Sequence, residues 1–311
     1  MKRIVRIGMT ALLCISILPF SKAQLSKADA VIENEDTGYD RYIAFGNDLK
    51  ANEKNAVLQQ FGITAEDLSS YKTISITNKE EHDYLGDYIA SSVIGKRALS
   101  SVMIVKTEKD SGIDVSTHNI SYCTSGMYCN ALLTAGLTDA KVTVAGPFNI
   151  SGTSALVGAM KAYSVMTGKE ISEDTMDTAT DELVTTAELG ESIGDKEKAA
   201  QLIASVKQQV FQEKNATTED IKDAIETSAE ALNLNLTEDQ VNDIVDMMEK
   251  VSKVDIDVDA IKDQAKDIYN KLKDAGIDFT EVDTGGLVEK VGDFFSGIFN
   301  AIGDFFSGLF G

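Results

Sequence analysis

The chain has few of several residue types, and each shortage excludes a class of protein. Its 311 residues include no tryptophan, two prolines, two histidines and three cysteines. Two prolines are too few for a long proline-rich linker. Basic residues number 29 against 50 acidic ones, for a formal charge of −21. Because nucleic acid and anionic lipid are bound through clustered lysine and arginine, this deficit excludes nucleic-acid binding and polybasic attachment to membranes.

The overall composition is that of a folding globular protein. Hydrophobic residues make up 43% of the chain and charged residues 25%, close to the usual balance of soluble domains. A chain of this length suffices for one large domain or two ordinary ones.

The first 23 residues have the pattern of a secretory signal peptide. Three basic residues lie within the first six positions, and an apolar run follows from Ile7 to Phe20. That run is too short to span a bilayer, and Ser21-Lys22-Ala23 forms a small-x-small cleavage site. We therefore predict a mature chain that begins at Gln24 and is secreted, extracellular or attached to the cell surface. An uncleaved membrane anchor is the alternative.

The next part of the chain predicts a flexible leader and then an α+β domain. Residues 24–40 are polar and show no hydrophobic period. Residues 41–168 alternate between strand-like and helix-like pieces, which predicts a mixed sheet with helices. Strands are expected at 41–45, 71–77, 97–107, 112–122 and 140–145, with helices at 52–61, 78–85, 127–135 and 154–167. The polar connector that ends at Gly112 predicts a hairpin between the third and fourth strands.

Residues 169–283 predict an acidic, all-helical region. The strand pattern almost disappears there, and the range holds 30 acidic and 12 basic residues. Helix starts are expected at Asp195, at Thr218-Glu219-Asp220, at the capping box Thr237–Gln240, and at Asp257 or Asp259.

The C-terminal residues 287–311 predict an amphipathic helix after a hinge at Gly285-Gly286. Gly292-Asp-Phe-Phe-Ser-Gly297 recurs 11 residues later, so both phenylalanine pairs share one helical face. This face predicts contact with a membrane or an envelope partner; self-association and docking on the protein's own body are the alternatives. Its predicted contact residues are Val291, Phe294, Phe295, Ile298, Phe299, Ile302, Phe305, Phe306, Leu309 and Phe310.

Two cysteines remain after the predicted cleavage, Cys123 and Cys129. In an oxidising compartment two cysteines can pair. A strand that ends at Tyr122 and a helix that starts at Ser125 would allow a bond from the strand end to the second helical turn. We predict this disulfide, with two separate thiols as the alternative. Metal binding is disfavoured because neither histidine has ligand spacing to the pair.

No catalytic, cofactor-binding or metal-binding residue is assigned from the sequence. The loop 146–154, between a predicted strand and helix, could bind an anion but is more typical of a capped turn. His118 could act as a general base, but it has no identifiable nucleophile. The acidic run from Asp255 to Asp263 lacks the glycine and glutamate of an EF-hand loop, so a helix N-terminus is the favoured interpretation.

Several short segments resemble one protein family. Ile94-Gly-Lys-Arg-Ala-Leu-Ser-Ser101, Val115-Ser-Thr-His-Asn-Ile120, Asn130-Ala-Leu-Leu-Thr-Ala-Gly136, Ala145-Gly-Pro-Phe148 and Ser151-Gly-Thr-Ser-Ala-Leu156 occur in this order. Glu188-Leu-Gly-Glu and Ile193-Gly-Asp-Lys follow. The chain thereby resembles the DUF1002 family of secreted proteins from Gram-positive bacteria over residues 41–275. The resemblance implies no particular activity and no catalytic residue.

Two functions are consistent with these patterns. The first is a non-enzymatic exported protein that works at the envelope or outside the cell and uses its tail for attachment. The second is an envelope-directed hydrolase whose cleft includes His118 and the 146–154 loop. Convergence of His118 with Ser151 or Ser154 would favour the hydrolase. We expect a monomer, or weak association through the tail.

Overall fold

The computed structural model describes residues 40–213, 216–258, 260, 261 and 264. Within these residues the strands are β1 (Arg41–Gly46), β2 (Lys72–Ile76), β3 (Ser101–Lys106), β4 (Ile113–Ile120) and β5 (Ala140–Ile150). The helices are α1 (Ala51–Phe61), α2 (Asn78–Leu85), α3 (Ser91–Ile94), α4 (Ser125–Thr134), α5 (Thr153–Thr167), α6 (Glu173–Ile193), α7 (Lys196–Gln212), α8 (Thr218–Ala231) and α9 (Glu238–Val251). A 3-10 turn lies at Asp67–Ser70. The predicted α+β class is confirmed.

The strands form one mixed sheet in the order β2-β1-β3-β5-β4. β1 pairs parallel with β2, β5 pairs parallel with β4, and β3 runs antiparallel to both β1 and β5. The predicted hairpin between β3 and β4 is wrong, because β5 lies between them. β5 is buried along most of its length and suits an interior position, whereas no residue of β4 is fully buried. An edge strand can leave polar groups near solvent, which explains the place of the hydroxyl-rich β4.

Alternate residues of the central strands bury the two faces of the sheet. Ile43 and Phe45 of β1 pack with Met103 against α1 on one face. Tyr42 and Ala44 lie in a larger cluster on the other face, together with residues of α2, α4 and α5. This two-residue period is what a strand requires when it is covered on both sides.

The later helices extend this second layer. Ala179, Leu183 and Ala187 of α6 are buried in the same cluster that covers the sheet. A further apolar cluster joins α7, α8 and α9. α6 thus packs on the sheet region across the predicted boundary after residue 168. The division of the chain into regions 41–168 and 169–283 stays a prediction. In the part of the chain that the structure describes, none of the helices combines the length and the hydropathy needed to cross a bilayer.

Most helix ends predicted from capping are confirmed, with small shifts. Asp195 caps α7, and Thr237 with Gln240 forms the capping box of α9. Thr77 caps α2, which starts at residue 78 as predicted, and Thr217 caps α8 one residue before the predicted start. In both cases the threonine hydroxyl accepts a hydrogen bond from the N–H three residues later. The predicted signal peptide, nearly all of the leader and the whole tail lie outside the described residues.

Candidate functional site

The carboxyl ends of four strands lie at one edge of the sheet. β1, β2, β4 and β5 run in the same direction, and each is followed by a helix that starts at this edge: α1, α2, α4 and α5 respectively. Ligands of open α/β sheets bind beyond the carboxyl ends of the strands. Several of the segments that carry the family resemblance, among them 94–101 and 151–156, come together here.

A buried carboxyl group occupies the amino end of α5. Glu81 is 1% exposed. Its Oε1 accepts a 2.5 Å hydrogen bond from Thr153 Oγ1, and its Oε2 accepts one of 3.2 Å from Asn78 Nδ2. Burial raises the pKa of Glu81, and these hydrogen bonds partly oppose the rise. A carboxyl group of the chain itself is thus bound to the side chain of the first residue of α5, at the end of the 146–154 loop.

The hydroxyl groups of this edge bond to one another. Ser100 and Ser154 are both 2% exposed, and their Oγ atoms lie 2.6 Å apart. Ser154 Oγ also donates to the carbonyl oxygen of Ser100, and the N–H of Ala155 donates to Ser100 Oγ. Ser151 Oγ lies 3.1 Å from Thr153 Oγ1. The hydroxyl groups of this edge are thus hydrogen-bonded to other groups of the chain.

Neither histidine is hydrogen-bonded to these serines in the part of the chain that the structure describes. His118 is half-buried on β4, opposite Ala145 of β5. Because Ser154 is bonded to Ser100 and Ser151 to Thr153, neither serine is joined to His118 as a hydrolase would require. His82 is half-buried, and its Nε2 donates to the carbonyl oxygen of Gly95 over 2.9 Å.

Cys123 and Cys129 are both thiols in the structure. Cys123 is 2% exposed, and burial raises its pKa to about 12. Cys129 Sγ lies 4.0 Å from the carbonyl oxygen of Ile113, on β4. No Cys123–Cys129 disulfide is present among the residues described here. The disulfide of the oxidised, exported chain stays a prediction.

Asp257 acts as a helix cap, in agreement with the favoured interpretation of the acidic run. Its Oδ1 accepts a 3.2 Å hydrogen bond from the N–H of Ala260. Asp259 and Asp263 lie outside the described residues. Within the described ranges, no three histidine, cysteine or acidic side chains are placed to hold a metal ion.

Sequence reasoning missed a buried ion pair between α6 and α7. Glu182 and Lys207 are both 0% exposed, and Lys207 Nζ lies 2.5 Å from Glu182 Oε1. Glu182 Oε2 accepts a hydrogen bond from Thr134 Oγ1, and Lys207 Nζ donates to Thr134 Oγ1 and to the carbonyl oxygen of Asn130.

This pair is part of a buried polar network that also includes α4 and Gln264. Asn130 Nδ2 donates to the carbonyl oxygen of Ala200, and Gln264 Nε2 donates to Asn130 Oδ1. One sequence signal pointed to the pair: Glu182 and Lys207 each interrupt the apolar face of their helix, with opposite charges. Charged residues are almost never fully buried unless they are paired.

A groove lies between α6 and α9 and has a volume of about 360 Å³. The sequence placed no site residue there. We call it the acidic groove because four of its side chains are carboxylates and one is a lysine. Its lining residues are Asp181, Thr185, Glu188, Leu189, Ser192, Gln240, Asp243, Ile244, Asp246, Met247 and Lys250.

Comparisons with known proteins cover both the sheet edge and the acidic groove. The family model described as "Protein of unknown function (DUF1002)" matches residues 45–268. The chain is 42% identical to "Uncharacterized protein YpuA" of Bacillus subtilis (strain 168) over 293 residues, which is 93% of this chain and 95% of that relative. No solved structure matches the chain significantly. The matched family range contains all the helices named above and all the strands except the start of β1.

Proposed function

Because the chain belongs to the DUF1002 family of proteins of unknown function, we propose its role from its own residues: a non-enzymatic exported protein of the cell envelope or its surroundings. The basic and apolar pattern of residues 1–23 supports export. The formal charge of −21 supports a protein that does not act on nucleic acid.

The packing at the carboxyl edge of the sheet is the observation that carries the non-enzymatic part of the proposal. This is where the alternative hydrolase would have its cleft. Glu81, Ser100, Thr153 and Ser154 are each at most 2% exposed there, and each is hydrogen-bonded to another residue of the chain. A nucleophile buried in this way cannot meet a substrate without rearrangement of the edge. The packing therefore supports binding or assembly over hydrolysis.

The attachment part of the proposal concerns residues 287–311. Their apolar residues recur at spacings of three and four, so a helix would present them together. This segment carries three acidic residues and one lysine, a charge of −2. Attraction to anionic lipid therefore cannot drive attachment, and the buried apolar area must do so.

Vesicle co-sedimentation tests the attachment. The chain from Gln24 to Gly311 is compared with one from Gln24 to Gly286, and with a variant of the longer chain that carries Phe294→Ser and Phe305→Ser. We expect the first chain alone to pellet, and to do so on neutral and anionic vesicles alike. If all three chains stay in the supernatant, the membrane form of the proposal is wrong, and attachment to a protein partner or to the chain's own body remains.

A further inference from the structure

The acidic groove has a polar contact between α6 and α9 at each of its ends. α6 and α9 run antiparallel along it, so that Ser192 meets Gln240 and Asp181 meets Lys250. Gln240 Nε2 donates to Ser192 Oγ over 2.6 Å, and Lys250 Nζ pairs with Asp181 Oδ2 over 2.8 Å. Between these two contacts, no described residue of the chain bridges the groove from α6 to α9 by a hydrogen bond or an ion pair.

Three carboxylates along the middle of the groove have no cation within the described part of the chain. Lys250 is the only basic residue among the lining residues, and Asp181 already binds it. Glu188, Asp243 and Asp246 are exposed, and the structure describes no hydrogen bond or ion pair that neutralises them. Like charges held close together on a fixed scaffold attract a cation from solution.

The floor of the groove is apolar. Leu189, Ile244 and Met247 line it between the carboxylates and are largely buried. An apolar floor with carboxylates on both walls matches a side chain that has an aliphatic stem and a charged end, as lysine and arginine have. The volume of about 360 Å³ lies at the small end of the range for ligand pockets.

The negative charge continues from the groove along α6. Burial raises the pKa of Asp177, and the neighbouring carboxylates Glu173, Asp174 and Asp87 raise it further. Repulsion among these groups is relieved when a cation binds nearby. Among the described residues, by contrast, no three carboxylates stand close enough to coordinate one metal ion. This spacing fits an extended cation better than a divalent ion.

We propose that the acidic groove is an interaction surface for a lysine- or arginine-bearing segment of another protein. The aliphatic stem of a basic side chain lies on Leu189 and Met247, and its charged end lies among Glu188, Asp243 and Asp246. The surface is distinct from the tail of the proposed function, so either can fail without the other.

Fluorescence anisotropy with a defined probe tests the proposal. The probe is a fluorescein-labelled peptide of alternating lysine and leucine, and its partner peptide has glutamate in place of lysine. The protein is the chain from Gln24 to Gly311. A variant with Glu188→Gln, Asp243→Asn and Asp246→Asn removes the free carboxylates. A second variant, Thr185→Arg, places a cation of the chain itself in the middle of the groove.

The matched control removes the same charge elsewhere. Glu219→Gln, Asp223→Asn and Glu226→Gln change three exposed carboxylates of α8. We expect saturable binding of the lysine peptide alone, a loss of about tenfold in affinity with each groove variant, and less than about threefold with the α8 control. Far-UV circular dichroism and thermal unfolding show whether each variant is folded. If the triple groove variant is unfolded, the Thr185→Arg variant still tests the proposal.

Three outcomes would overturn the proposal. The first is no saturable binding of the lysine peptide by the unchanged chain. The second is an equal loss in the groove and α8 variants, which would mean that total charge and not the groove attracts the peptide. The third is full binding by a folded Thr185→Arg variant. Because every variant keeps residues 287–311, failure of these measurements says nothing against tail attachment, and the vesicle assay separates the two.

Discussion

The substitution Lys207→Met tests the ion pair at the centre of the helical layer. Methionine nearly matches the length of lysine but carries no charge, so the change leaves little empty space. Glu182 then keeps Thr134 as a hydrogen-bond donor but loses its cation, which lies 2.5 Å away in the unchanged chain. The carbonyl oxygen of Asn130 also loses the donor that it has at 3.0 Å.

The expected loss is large because both side chains are 0% exposed. Removal of one partner of a buried ion pair costs about 3–5 kcal/mol in the free energy of unfolding. A domain of ordinary stability has about 5–15 kcal/mol in total. The double variant Glu182→Leu with Lys207→Met removes both charges, and we expect it to recover most of the loss. The exposed pair Lys79–Asp83 is the control, and Lys79→Met should cost less than about 1 kcal/mol.

The deficit of Lys207→Met should also depend on pH. Burial raises the pKa of Glu182, and the charge of Lys207 is the largest influence that lowers it. Without Lys207 the pKa rises further, so the folded state takes up a proton before the unfolded state as pH falls. Protonation of Glu182 therefore stabilises the folded variant. This stabilisation is complete below the unfolded pKa of Glu182, about 4.3, and is lost as pH rises through the folded pKa. The deficit is therefore greatest at neutral pH and smaller in acid.

Urea unfolding followed by far-UV circular dichroism, at about pH 7.5 and about pH 5, measures these differences. Each variant is compared with the unchanged chain at the same pH, so that other titrating groups cancel. A cost of less than about 1 kcal/mol for Lys207→Met at neutral pH would refute the reasoning. A double variant no more stable than the single one would also refute it, because the loss would then not come from an unpaired charge.

Three further predictions concern the sheet edge, the cysteines and the domain division. Gly152→Ala should cost about 2–4 kcal/mol in the free energy of unfolding, since Gly152 has a φ of 102° and an added Cβ would lie 2.6 Å from Tyr128 Oη. The control Gly62→Ala should cost about 1–2 kcal/mol, because Gly62 has a φ of 71° but an added Cβ would have no atom within 4 Å. Equal losses in thermal or urea unfolding would contradict the steric part of the argument. Under native reducing conditions Cys123 should resist alkylation by iodoacetamide until the chain unfolds, because burial raises its pKa to about 12. Mass spectrometry of non-reduced, exported protein tests the predicted Cys123–Cys129 disulfide. Two free thiols in that protein would show that the disulfide does not form. Limited proteolysis should cut first within 24–40 and near 284–286, and a first cut between 95 and 122 would contradict the division of the chain.

The elements whose signals are local were predictable from the sequence. The hydroxyl of Thr237 accepts from the N–H of Gln240, three residues away, and this short range makes the start of α9 readable. Gly62 and Gly168 end their helices with a positive φ that other residues rarely adopt. The apolar face of α7 likewise depends on neighbours within a turn or two. The residue order alone therefore determined most element bounds, the α+β class and the family.

Only the tertiary structure decided which of these elements meet. β3 and β4 are joined by a polar connector, yet the more deeply buried β5 lies between them, because strand order depends on the burial of whole strands and not on the connector. Glu182 and Lys207 lie 25 positions apart, and each looks unfavourable on its own helix until the other faces it. The acidic groove needs α6 and α9 side by side. A pattern along the chain states which face of a helix is apolar, but the partner of that face is chosen by packing between distant residues, and so the candidate binding surface was visible only in the fold.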